Sequence, residues 1–243
     1  MEYDGAGFAG FQRQRNLPSI QGVLESALAD VTGEPTRVSA AGRTDAGAHA
    51  TGQVVAFSTG SRLDDAALLR AINARLPSEV ALQSLETTEE RFDPRRHAKA
   101  RHYLYRVLNR RVRSPLCRER AYFVAKPLDL QAMNAAADFL RGTHDFASFG
   151  NPPAGPGAST IRTIHRLDIM ANDEMIDFHF VANAFMHQMI RCLVGTLLLV
   201  GEGRVGAGEV KNILEARNRS RAAPPAPAHG LYLTQVSYEG KHS

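Results

Sequence analysis

The apolar positions of this chain follow two periods, and each period marks a different kind of element. Ile20, Val23, Leu24, Ala27, Leu28 and Val31 recur every three to four residues, which predicts an amphipathic helix ended by Gly33. A second helix is expected over about residues 64–76, stopped by Pro77, and a third on Leu130, Met133, Ala137 and Leu140, ended by Gly142. Residues 183–200 are so strongly apolar that they predict a long, buried central helix with Asn183 as its cap, and residues 209–217 a short amphipathic one. Period-two alternation over residues 101–108 predicts a strand with Tyr103, Tyr105 and Val107 on one face. Further strands are expected near Val38 and over residues 53–59, 80–85, 160–170, 175–182 and 231–238, with a Pro/Ala linker at residues 222–228. No parallel crossover repeat is visible. The pattern therefore predicts an α+β fold in two lobes with antiparallel sheets, residues 1–100 and 101–243.

Composition adds little to this until the kinds of charge are separated. An apolar fraction of 44% can fill a core, and 22% charged residues is ordinary for a globular protein. A net charge of +4 and a pI near 9.3 permit a polyanionic partner without requiring one. Of the 29 basic residues 25 are Arg, which grips phosphate bidentately and stacks on bases, although a GC-rich genome gives the same bias. Cys117 and Cys192 lack the spacing of metal ligands, and the nine histidines show none either, so no metal is expected. Two thiols in a chain of this length fit a reducing cytoplasm, and no secretory leader is expected. The charge-free run at residues 192–201 is about half of what a membrane span needs.

Three stretches carry candidate chemistry. Gly42-Arg43-Thr44-Asp45-Ala46-Gly47-Ala48-His49-Ala50 sets one cation, one carboxylate and one imidazole among small residues. Glycine lets backbone approach a ligand closely, and arginine keeps a nearby carboxylate ionised, as a nucleophile must be. On residue types alone a Gly-rich turn capped by its aspartate is the better reading. Gly5-Ala6-Gly7-Phe8-Ala9-Gly10 fits the dinucleotide fingerprint G-x-G-x-x-G, which needs a full strand before it and a helix directly after it. Only three residues precede Asp4, and Pro18 stands ahead of the first helix, so that reading is disfavoured. From Arg91 to Arg120, eleven basic residues meet two acidic ones, Asp93 and Glu119. Such a run is often a solvated face. Interleaved with Tyr103 and Tyr105 it also suits an opened nucleic acid, and Arg95, Arg96 and Lys99 are its candidate phosphate contacts. Arg191 interrupts an apolar helical stretch, so it is either an exposed-edge residue or one half of an ion pair.

The string Gly-Arg-Thr-Asp-Ala-Gly-x-His-Ala closely resembles the catalytic loop of the TruA family of tRNA pseudouridine synthases. The likeness runs along nearly the whole chain. It includes Tyr3-Asp4-Gly5 with Phe8 and Gly10-Phe11-Gln12, Gln53-Val54-Val55-Ala56-Phe57, Arg101-His102-Tyr103-Leu104-Tyr105 and His144-Asp145-Phe146-Ala147-Ser148-Phe149. It continues through Ala182-Asn183-Ala184-Phe185-Met186-His187, Arg191 with Val194-Gly195-Thr196, and Ala226-Pro227-Ala228 with Gly230-Leu231-Tyr232. Phe11, Ala48, Gln188 and Cys192 stand where the family usually has Trp, Val, His and Asn.

The resemblance implies the pseudouridine synthase fold, with two α/β lobes whose antiparallel sheets join into a central sheet and a catalytic cleft between them. It implies a homodimer and the anticodon stem-loop of tRNA, positions 38–40, as target. The reaction breaks the bond from ribose C1′ to uracil N1 and joins C1′ to C5, so the nucleotide must be flipped into a pocket. The product is an isomer of the substrate, and no cofactor or metal is required. By resemblance Asp45 is the nucleophile, with three routes open: attack on C1′, abstraction of a sugar proton, or addition at C6 of the base. Arg191 is the candidate ion partner of Asp45. Arg43 would fill the space of the flipped base and hold its phosphate. Tyr103 would stack on the uracil and is a candidate for removing the C5 proton, and His49 is structural or RNA-facing. The alternatives are a non-catalytic RNA-binding protein on this scaffold and a nucleotide-cofactor enzyme using the glycine cluster. Residues 1–3 read as the stub of a longer strand, so an upstream start supplying roughly half a dozen apolar residues is expected.

Overall fold

The computed structural model describes residues 1–151, 155 and 158–239. The chain divides into two compact units, one made of Met1–Lys99 with the C-terminal segment from Tyr232 on, the other of Ala100–Leu231. Both mix helices with largely antiparallel strands, as the apolar pattern predicts.

The first unit begins with β1 (Glu2–Tyr3) and α1 (Ile20–Thr32). Ser19 caps α1 by accepting the Gly22 N–H, and Gly33 closes it at φ 77°, a conformation that glycine adopts without strain. Then come β2 (Ser39–Ala40), β3 (His49–Ala50), β4 (Val55–Ala56), α2 (Asp65–Asn73) and β5 (Val80–Ala81). Leu24, Ala27 and Leu28 of α1 pack with Val38, Leu68, Ile72 and Leu82 to form this unit's hydrophobic cluster. β1 lies antiparallel to both β5 and β3.

The second unit is built on β6 (Ala100–Asn109), from which the chain turns through a 3₁₀ turn at Pro115–Cys117 into β7 (Tyr122–Val124). α3 (Leu130–Asp138), β8 (Gly142–Asp145), β9 (Ile161–Asn172) and β10 (Met175–Ala182) follow. β10 is paired antiparallel with β6 on one side and β9 on the other, β8 extends β9, and β7 runs parallel to β6. α4 (Met189–Gly201) has ten of its thirteen residues buried, which suits a helix apolar all round. α5 (Glu209–Glu215) is short.

Two expectations need correction here. Asn183 does not cap α4. Its carboxamide oxygen accepts the N–H groups of Thr163 and Ala184 instead, and α4 starts after Gln188, which takes φ 61°. Residues 222–228 are not a free linker either. They form a strap along α4: Ala223 N donates to Thr196 Oγ1 (3.2 Å), and Ala226 N donates to the Arg191 carbonyl (2.9 Å). A Cβ on Gly195 would lie 2.4 Å from Pro224 O, so glycine is what allows the strap this close.

The chain closes on β11 (Leu231–Ser237), which from Tyr232 on belongs to the first unit. Tyr232 lies opposite His49 and Leu233 opposite Ala50, in parallel with β3. Among the described residues no helix is long and apolar enough to cross a membrane.

Candidate active site

The Asp45 loop is a turn held on every side by backbone. Ala48 N donates to Asp45 O (3.1 Å) across a four-residue turn whose third position, Gly47, takes φ 79°. A positive φ at that position alone is the signature of a type II turn, which explains the glycine two residues after the aspartate. The turn leans on the N-terminal glycine cluster. Gly47 N donates to Phe8 O (3.3 Å), and Phe11 N donates to Thr44 O (3.1 Å). A Cβ on Gly5 would stand 1.9 Å from Ala48 O, and one on Gly10, itself at φ 96°, would stand 2.9 Å from Thr44 O. Two of the three glycines of the G-x-G-x-x-G string therefore exist to admit the Asp45 loop, and a phosphate is not needed to account for them.

Behind the loop lies a buried polar network. The hydroxyls of Tyr3 and Thr44 share a hydrogen bond of 2.8 Å. Gln53 Nε2 donates to Gly42 O (2.7 Å) and, at 3.4 Å, to the Tyr3 hydroxyl. Tyr3 and Gln53 are almost wholly buried. Burial disfavours the phenolate of Tyr3 and pushes its pKa up to about 12, against the lowering effect of the Thr44 and Gln53 hydrogen bonds. Asp45 thus follows a residue tied through its side chain to β1 and through its carbonyl to Phe11. None of Tyr3, Thr44 and Gln53 stands out in the sequence for this role; the only signal is their membership of the motifs around them.

His49 is buried at 3% exposure, with its ring stacked on Tyr232 at 4.7 Å. Gly5 N points at His49 Nδ1 (3.1 Å), and Asp4 Oδ1 lies equally near the same nitrogen. The two contacts exclude each other, because a nitrogen that accepts an N–H has no proton there to give. Arg43, by contrast, is exposed and has no side-chain partner among the described residues.

Three cations expected to face phosphate lie at the end of Met1–Lys99. Arg95 N and Arg96 N donate to Asp93 Oδ1 (2.8 and 2.9 Å), and the Arg96 side chain reaches back to Asp93 at 3.6 Å. Lys99 Nζ lies 2.8 Å from Glu239. Arg96 and Lys99 therefore stand beside carboxylates, which sequence reading did not anticipate.

The remaining candidates belong to the second unit. Tyr103 and Tyr105 share a face of β6 but not a setting. The Tyr105 ring is fully buried and its hydroxyl donates to Pro227 O (2.7 Å) on the strap; burial raises its pKa. Tyr103 packs edge-on against Phe185 (5.2 Å), in the segment that leads to α4. Arg191, on the first turn of α4, donates from Nε to Ala226 O (2.6 Å), so the strap fixes its guanidinium. Arg101 Nη1 donates to Asn183 O (2.8 Å), tying β6 to the same segment. The structure so sets Arg43 and Asp45 on one loop of the first unit with His49 on β3 directly after it, and Tyr103 and Arg191 on β6 and α4 of the second. Among the described residues no group of three or more His, Cys, Asp or Glu is placed to hold a metal ion.

Comparison with known proteins bears on what this arrangement does. A family model described as tRNA pseudouridine synthase matches residues 1–95 and 136–239. The chain is similar to the tRNA pseudouridine synthase A of Allorhizobium ampelinum, at 42% identity over 241 residues, covering 98% of this chain and 93% of that protein. It is 44% identical over 239 residues to the protein of the same name from Beijerinckia indica subsp. indica, covering 98% and 92% of the two. With that of a Thermoanaerobacter species it shares 38% identity over 238 residues, 98% and 97% of the two chains.

Proposed function

The chain belongs to the tRNA pseudouridine synthase family and isomerises uridine in tRNA to pseudouridine, and we propose that its target lies in the anticodon stem-loop and that Asp45 is the nucleophile. The observation that carries this is the immobilised turn. Its one carboxylate is Asp45, flanked by an exposed Arg43 and backed by the Tyr3, Thr44 and Gln53 network. A reacting group held this way loses little freedom as it reaches the transition state.

Arg43 occupies the gap left by the flipped nucleotide and holds its phosphate; its exposure supports that role. Tyr103 stacks on the uracil. Arg191 pairs with Asp45, a reading supported by the strap that orients its guanidinium and by the family likeness. His49, buried behind the loop, acts on RNA only through the loop it supports. Arg95, Arg96 and Lys99 contact phosphate. The bond from C1′ to N1 breaks and that to C5 forms, the C5 proton leaves and N1 gains one, so the balance closes without redox. The working form is a cytoplasmic homodimer that takes up one tRNA.

Asp45→Asn tests the assignment. The amide keeps the shape of the side chain and loses its nucleophilicity, so pseudouridine formation should vanish while tRNA affinity stays within about threefold of wild type. Pseudouridine mapping on tRNA incubated with the pure proteins reads the first, and filter binding the second. Substantial turnover by the Asn variant, with deamidation excluded, sinks the role given to Asp45.

A further inference from the structure

The chain between β6 and β7 is a rigid loop whose side chains face solvent. Asn109 Nδ2 donates to Val124 O (2.9 Å), and Arg110 bonds to Val112 O (2.6 Å) and Glu174 (2.8 Å). Arg120 N and Ala121 N both donate to Cys117 O (2.9 and 3.0 Å). Yet Leu116 is 88% exposed and Val112 70%, the two most exposed large apolar side chains among the described residues. Single exposed apolar residues are ordinary. Two on one short loop, set among five arginines and one glutamate, are not explained by folding. Arg118 stands against Glu119 (3.5 Å), whereas Arg111 and Arg113 are exposed with no side-chain partner among the described residues.

We propose that this loop is a docking surface for tRNA outside the catalytic pocket, in which Arg111 and Arg113 contact phosphates while Val112 and Leu116 pack against an unstacked base or sugar. The proposal rests on the reading of the chain as a tRNA enzyme and adds, within the basic run of residues 91–120, a contact separate from those given to Arg95, Arg96 and Lys99. The loop also falls in residues 96–135, between the two stretches that the family model matches. Charge complementarity selects the occupant. A two-fold contact of the loop with its own copy would set arginine against arginine, with Glu119 as the loop's one carboxylate and Arg118 already beside it. A polyanion meets no such conflict. Asn109 lies six residues along β6 from Tyr103, about 20 Å at the rise of a strand. That is too far to touch the flipped nucleotide and within reach of another part of the same RNA. Because the loop is already ordered, binding there forfeits little conformational freedom.

The experiment uses the full-length protein and an unmodified tRNA transcript. Each phosphate contact contributes roughly 0.7–0.9 to the slope of log affinity against log salt, so Arg111→Gln/Arg113→Gln should make that slope shallower by about 1.5, or about 30-fold in affinity per decade of salt. Val112→Ser/Leu116→Ser should weaken binding at every salt concentration and leave the slope alone, because apolar contacts release no counterions. Both variants should raise KM with kcat at saturating tRNA unchanged. All four positions are exposed, and matching melting temperatures confirm intact folding. If wild type binds tRNA with a steep salt slope and the arginine variant keeps it, this proposal is overturned and the tRNA reading stands. If wild type itself shows no salt-dependent tRNA binding, the tRNA reading fails first. If the apolar variant dissociates a dimer in light scattering with tRNA affinity unaltered, the loop is a contact between copies and the proposal is wrong.

Discussion

Tyr103 and Tyr105 stand two residues apart on one face of β6, both buried, the Tyr103 ring against Phe185 and the Tyr105 hydroxyl on Pro227 O. Tyr105→Phe deletes the donor to Pro227 O in a buried setting, which should destabilise the protein by about 1–3 kcal/mol and loosen the strap. Tyr103→Phe keeps the ring against Phe185 and should leave tRNA binding in place. If its hydroxyl moves a proton, single-turnover rates should fall by on the order of 10²-fold. Melting curves and single-turnover assays of both variants check this, and the reverse pattern would exchange the two assignments. Tyr3 makes a different prediction. Its pKa is raised in the folded protein to about 12, from about 10 unfolded. The stability this group contributes is therefore intact below pH 10 and lost as pH rises toward 12. Two pH units correspond to about 3 kcal/mol. Urea unfolding from pH 8 to 12 should show a steeper alkaline loss for wild type than for Tyr3→Phe. The variant should still decline, because burial raises the pKa of Tyr105 as well. Equal slopes would mean that the Tyr3 phenol is not sequestered as described.

Among the elements, α4 and its strap make a single device. Gly195→Ala would gain about 1 kcal/mol of helix propensity in isolation. Its methyl would sit 2.4 Å from Pro224 O, a backbone atom that cannot swing aside, and overpacking of that kind costs about 1–3 kcal/mol. The clash should win. We expect a net loss of about 1–2 kcal/mol and a drop in kcat larger than the drop in tRNA affinity, because displacing Ala226 frees the Arg191 guanidinium. Thermal melting and steady-state kinetics on one preparation read both, and a stabilised, fully active variant would show that the strap is not rigid. The same region shows where sequence reading reaches its limit. α1 was legible because a clean period from Ile20 to Val31 runs into Gly33, and the structure adds Ser19 as its cap. Likewise β10 matches the alternation over residues 175–182. α4 was placed too early because a segment apolar at nearly every position carries no phase, and the hydrogen bonds of Asn183 and the positive φ of Gln188 show that the helix starts only at Met189. β3 has only two residues, too few for alternation to register.

Over the whole molecule, Asp45 and Arg43 were legible because an unbroken string of nine residues surrounds them. The groups that support them were not. Tyr3 meets Thr44 41 positions later in the chain, and Gln53 reaches 11 positions back to Gly42. Pairings of that span are set by the fold and leave no local pattern. One such pairing also sets a schedule. The strand that carries His49 out of the Asp45 loop has Tyr232 and Leu233 as its parallel neighbours, 183 residues downstream. At a synthesis rate of about 5–20 residues per second, roughly 10–40 s pass on the ribosome between the emergence of the two strands. Through that interval β3 has an unpaired edge and His49 lacks the Tyr232 ring it stacks on, so the loop that bears Asp45 is among the first parts made and among the last completed. A nascent chain should therefore bind no substrate productively until its closing strand is free of the exit tunnel, and through that wait the open edge of β3 is a place for a chaperone to hold.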